Sequence, residues 1–188
     1  MTTRRRRSAD GQALPEFALV LPLVLIVLFS IIQLGFLLAG QNGMTNAARE
    51  AARYASTIPT PDTIVAGNCT SSGTNAYLVY DRLTKVNLPQ YIPGFIGLNL
   101  IPAAPSSGCG AAALAGTGSG VGYCAAANQD GTGTYSVRVR VAIVYGHPLF
   151  IPIVGSILSS TNTWQLKAIE EMRVEGPDRP TAGSFVPC

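Results

Sequence analysis

The chain has 188 residues, a formal net charge of +3, four cysteines, one histidine and only 12% charged side chains. Four of the basic residues form one block, Arg4 to Arg7, and removing the first eleven residues would take these and Asp10 away and bring the net charge to zero. Nucleic-acid binding needs Lys and Arg clustered on a folded face; beyond the leader the only close pair is Arg138 and Arg140, so that class is excluded.

From Phe17 to Ala48 there is no charged side chain, and Phe17 to Gly40 is apolar apart from Ser30 and Gln33. As a helix rising about 1.5 Å per residue, that stretch spans roughly 36 Å, enough to cross a hydrocarbon core of about 30 Å. A cleaved secretory signal has a shorter apolar core, roughly 7 to 15 residues, followed by a small-residue cleavage site. Here Leu38-Ala39-Gly40 offers only a weak one, so the segment reads as a retained membrane anchor. The four arginines precede it and only Arg49, Glu50 and Arg53 follow closely. The positive-inside bias therefore puts the N-terminus in the cytoplasm and everything after about residue 41 outside. The remaining roughly 145 residues make one domain of ordinary length.

After the span, Asn46 to Ser56 is rich in alanine. Met44, Ala48, Ala51, Ala55 and Ile58 fall on one stripe at helical spacing, with Pro59 and Pro61 as the stop. The expectation is one long helix, bent at Pro22 and at glycines 35, 40 and 43, membrane-embedded over 12–40 and amphipathic over 41–58. Its small-residue stripe suits either the domain's own sheet or another subunit.

A second helix is expected from Asn75 to about Asn87, capped by Thr74 or Asn75 and closed by Leu88-Pro89. Residues 89–105 read as an ordered loop or short strands, and 103–134, dominated by Gly, Ala, Ser and Thr, as loop. The run Gly116 to Gly122 lacks the Gly-Lys-Ser/Thr of a phosphate loop and reads as flexible chain.

Tyr135 to Tyr145 alternates strictly, with Val137, Val139, Val141 and Ile143 on one face and Ser136, Arg138 and Arg140 on the other, before Gly146-His147-Pro148 breaks it. A second alternating run begins near Thr163, with Trp164, Leu166, Ala168, Met172 and Val174 on one face and Gln165, Lys167, Glu171 and Arg173 opposite. The two are expected to pair antiparallel and cover the long helix. The fold class is therefore α+β: a long N-terminal transmembrane helix, continued as an amphipathic helix, on a small antiparallel sheet.

The cysteines, Cys69, Cys109, Cys124 and Cys188, all lie in the external part, where an even number reads as disulfides with three connectivities. Cys109 with Cys124 across the Gly/Ala-rich loop is the most economical pairing, leaving Cys69 for Cys188 and pinning the tail. Four free buried thiols are the alternative.

Catalytic signals are thin. His147 reads as a turn or surface histidine, and Glu170 and Glu171 are adjacent on a strand and so face opposite ways. No serine sits in a nucleophile elbow. No enzyme, metal or cofactor is expected. Glu16 stands apart, because a charge within a bilayer costs roughly 2.5 to 3.5 kcal/mol and marks a function by default. A glutamate at a helix N-terminus, favoured by the macrodipole, is the simpler reading.

The string Gly11-Gln-Ala-Leu-Pro-Glu-Phe-Ala-Leu-Val-Leu-Pro22 resembles the processing site of class III signal peptides, cut after glycine by prepilin peptidases. With Asn46-Ala-Ala-Arg-Glu-Ala-Ala-Arg53, and more loosely residues 135–175, it resembles the TadE-like pseudopilins of the tight-adherence (Flp) pilus. The resemblance implies cleavage between Gly11 and Gln12, leaving Glu16-Phe17 near the new terminus. It further implies that Glu16 neutralises the Gln12 amine of another copy or of a major Flp pilin. The partners implied are a prepilin peptidase, other minor pilins, the major pilin, the inner-membrane assembly platform and the membrane itself. Pro15 departs from the usual pattern but is tolerated in a first helical turn. The external domain is longer than expected of a major Flp pilin, which points to a minor one. A membrane-anchored adhesin or cell-envelope binding module that never polymerises is the alternative.

Overall fold

The computed structural model describes residues 13–58, 74–91, 109–129, 132–149, 163–176 and 187–188. Five helical pieces and three strands follow in order: α1 (Ala13–Ser56), α2 (Asn75–Arg82), a π segment (Leu83–Asn87), α3 (Leu88–Tyr91), α4 (Cys109–Ala115), β1 (Gly120–Ala127), β2 (Tyr135–Pro148) and β3 (Thr163–Arg173). The α+β class expected from the sequence is the one found.

Helix α1 continues without interruption through Pro22 and the glycines read as bends. Its second half lies on the sheet. Met44, Ala47, Ala48, Ala51, Ala52 and Ala55 are fully buried, and they pack with Val137, Val139, Val141, Ile143, Tyr145, Leu166 and Ala168 in one core. Of the two readings of the alanine stripe, the structure realises packing on the chain's own domain. Alanine suits this place because it forms helix without losing side-chain entropy and keeps the helix axis close to the strands.

The sheet is antiparallel in the order β1-β2-β3. The valine-rich β2 is central, as its burial requires. It continues through Gly146-His147-Pro148 instead of breaking there, because β3 pairs along it as far as Pro148 opposite Thr163. Proline is tolerated at a strand end, where a missing N–H removes little from the ladder.

Thr74 caps α2, its hydroxyl accepting from the Tyr77 N–H at 3.2 Å. The helix does not stop at Leu88-Pro89 but runs on to Tyr91. The π segment explains how: the Leu88 N–H reaches back five residues to the Leu83 carbonyl. Widening the turn just before Pro89 makes room for the ring that would otherwise press on the carbonyl four residues earlier.

The stretch read as loop, 103–134, holds α4 and β1. In β1, Val121 and Tyr123 face the core, while Gly120, Gly122 and Cys124 share the opposite side of the sheet with Ala142, Arg140 and Arg138. There α4 packs so closely that a Cβ on Gly122 would lie 2.6 Å from the Gly110 carbonyl oxygen and 2.6 Å from Leu114 Cγ. The strand's outward positions must therefore be small, and glycine disguised it as loop. Gly116, at φ 65°, ends α4. The Thr117 N–H bonds the Ala112 carbonyl at 2.9 Å and the Gly116 N–H that of Ala113 at 3.1 Å, the Schellman arrangement that only glycine accommodates freely.

The disulfide joins Cys124 to Cys188, which corrects both expected pairings, Cys109 with Cys124 and Cys69 with Cys188. The tail runs beside β1, Pro187 bridging to Ala125 and the Cys188 N–H bonding the Ala125 carbonyl at 3.1 Å. That brings the two cysteine Cα atoms to 5.0 Å, inside the range a disulfide spans. Cys188 does pin the tail, but to the sheet edge. Cys69 and the Cys109 side chain lie outside the described residues, as do Pro59, Pro61 and most of the expected loop from 89 to 105.

Candidate membrane and assembly segment

The first half of α1 is bare. Leu14, Phe17, Leu19, Leu23, Val27 and Ile31 are all exposed, as are large apolar neighbours on every side of the helix. A helix apolar all round belongs in a core or a bilayer, and by length and composition this one is able to cross a membrane.

Contact with the domain begins at Gln33, which is buried and donates from Nε2 to the Pro148 carbonyl at 3.3 Å. Further along, Gln41 Nε2 donates to the Lys167 carbonyl at 2.8 Å, and Arg49 Nε meets Glu170 Oε1 at 2.9 Å. At the far end the Glu175 N–H bonds the Ser56 carbonyl at 2.8 Å. Gln33, Gln41 and Arg49 are thus docking points, whereas Ser30 donates back to the Ile26 carbonyl of its own helix. Their partners, two backbone carbonyls and a glutamate, are distant in sequence, so no spacing in the chain pointed to them.

Glu16 lies in the first turn of α1 and is exposed. Seventeen residues separate it from Gln33, about 26 Å along the axis. No described side chain of the folded domain reaches across that distance. Phe17, beside it, is likewise exposed. Gly11 and Gln12 lie outside the described residues.

The charged residues of the domain are used otherwise. Glu170 and Glu171 do face opposite ways: Glu170 toward α1 and Arg49, Glu171 toward Arg138 at 3.0 Å and Arg140 at 2.8 Å. Partial burial pushes the Glu171 carboxyl up, but the hydrogen bonds and charges of Arg140 and Arg138 outweigh it and hold the carboxyl below its ordinary range. Arg140 also donates to the Leu114 carbonyl at the end of α4. The network ties α4 to the sheet and is structural.

His147 is a correction. It is buried on the helix-facing side of β2, edge-on to Tyr145 with ring centroids 6.1 Å apart, because the strand continues through it. Burial pushes its pKa down. Among the described residues, no group of three or more His, Cys, Asp or Glu is placed to hold a metal ion.

No curated protein and no solved structure matches the chain. Residues 11–53, which contain Glu16, the bare span and the docking points Gln33, Gln41 and Arg49, match the family described as TadE-like protein, consistent with a TadE-like pilin of the Tad system.

Proposed function

We propose that this chain is a minor pilin or pseudopilin that takes part in assembling or priming a Tad (Flp) pilus. On this reading a prepilin peptidase cuts between Gly11 and Gln12, the following apolar helix anchors the product in the inner membrane, and residues 59–188 form the external domain. The observation that carries it is the position of Glu16 within the TadE-like match. It sits in the first turn of a bare apolar helix, beyond reach of the described domain. A carboxylate there gains most from a cation brought by another molecule, since opposite charges in a low-dielectric medium relieve each other. The free amine of Gln12 on a neighbouring pilin has the required charge. Other minor pilins, the major Flp pilin and the inner-membrane assembly platform are the partners this implies, and the role that goes with the TadE-like match is structural.

Intact-mass measurement on the protein from its native cell tests the processing: a chain beginning at Gln12 is expected, and retention of Met1 to Gly11 would refute it. Glu16→Ala tests the charge. Insertion and cleavage should be unchanged while pilus assembly is impaired; full piliation would leave Glu16 as a helix-end residue. A chain found unprocessed and absent from sheared pili would instead favour a non-polymerising adhesin or envelope binding module.

A further inference from the structure

Helix α1 and strand β3 run side by side in the same direction, and their contacts fix the register. Pro148, which pairs with Thr163, accepts from Gln33; Lys167 accepts from Gln41; Glu170 pairs with Arg49. Eight helical residues advance about 12 Å and three or four strand residues about 10 to 13 Å, so the rungs agree with one another. Trp164, paired with His147, therefore stands level with Gln33, where the bare part of the helix begins. It is 44% exposed.

The geometry points to Trp164 as an interfacial anchor: the indole rests among lipid headgroups and sets the depth of the domain at the bilayer surface. This rests on the reading of α1 as a membrane span. The length fits, because Leu14 to Ile32 covers roughly 28 Å, about one hydrocarbon thickness, and ends where Trp164 sits. The charges fit as well. The first cation along β3 is Lys167, about 10 Å further from the span, within reach of phosphate groups; the first carboxylate, Glu170, is about 20 Å away. The sequence joining β2 and β3, 149–162, carries no charged side chain. An amphipathic ring with an N–H donor is the side chain that favours this depth. The lipid boundary then falls at Gln33 rather than near Gly40.

Trp164 is the only tryptophan in the chain, so the protein reports on itself. The full chain is reconstituted into phosphatidylcholine and phosphatidylglycerol vesicles, recovered by flotation after an alkaline wash, and its emission measured with brominated lipids or aqueous iodide. The expected result is a blue shift relative to the unfolded chain. It should come with protection from iodide and a loss of emission greatest when bromine lies near the headgroup end of the acyl chain. Protein that floats but is quenched by iodide and not by bromine, or is quenched most from the bilayer centre, overturns the anchor while leaving the span intact. Protein that fails to float with the vesicles overturns the span, and the anchor with it.

Discussion

Replacing Gly122 by alanine should loosen α4 from the sheet. The added methyl would lie 2.6 Å from a backbone oxygen, Gly110 O, whereas ordinary contact begins near 3.4 Å, so the short helix must retreat by about 0.8 Å. It cannot do so freely, because Arg140 grips the Leu114 carbonyl and the Gly116 turn fixes the exit. Overpacking of this kind costs about 1 to 3 kcal/mol, and losing a strand glycine returns about 0.5 to 1 kcal/mol. The net is a destabilisation of up to about 2.5 kcal/mol, or a Tm lower by up to about 10 °C at this chain length. Gly146→Ala is the matched control. It too is a strand glycine without positive φ, but its nearest neighbour, Thr163 Cβ, is 3.7 Å away, so it should be neutral or slightly stabilising. Thermal unfolding of both variants in detergent micelles, followed by far-UV circular dichroism, decides the matter. A Gly122→Ala protein at least as stable as Gly146→Ala would refute the close packing of α4.

Cys188→Ser should lower stability by up to about 4 kcal/mol on the chain-entropy argument for a closure of 64 residues, a Tm shift on the order of 10 °C. Non-reducing peptide mapping should recover Cys124 joined to Cys188; a Cys109–Cys124 peptide would contradict this. Stability should fall with acid in two steps. The unfolded chain protonates His147 near 6.5 while the buried ring resists, so its contribution is complete above 6.5 and declines below it, until the folded ring itself takes a proton. His147→Gln should flatten the slope of Tm against pH just below 6.5. Glu171, whose carboxyl is held low, should lose its contribution only below 4.5, a step absent in Glu171→Gln. A double-mutant cycle on Arg49 and Glu170, an exposed pair, should give a coupling under about 1 kcal/mol; a larger value would mean the pair is shielded from water by something beyond the described residues.

What the sequence made legible were the elements with a strong period. The alanine stripe of α1 was readable because a helix packed on a sheet must repeat near 3.6 residues, and β2 because valines alternated with Ser136, Arg138 and Arg140. Strand β1 was hidden: its outward positions are Gly120, Gly122, Cys124 and Ala126 instead of polar residues, so alternation carried no hydropathy contrast. The disulfide was hidden for a related reason. Proximity along the chain favoured Cys109 for Cys124, whereas the decisive neighbour is the C-terminal tail, brought alongside by a single backbone bridge. His147 was misplaced because Pro148 reads as a breaker, and only pairing with β3 carries the strand past it. At the membrane segment, Glu16 and the span stood out in the sequence, but the docking role of Gln33 and Gln41 needed the partner carbonyls to be seen.

Because the bare and the docked halves of α1 are one helix, the chain has no joint between the segment suited to lipid and the domain beside it. A helix of 44 residues is about 66 Å long, and from Gln33 onward it is fastened to the sheet at three rungs and by the bond from Glu175 to Ser56. Moving the helix along its axis by the rise of one residue would carry the whole sheet about 1.5 Å with it. Apolar shaft and sheet are one rigid body, so a tilt or shift imposed on the bare end is passed whole to the sheet.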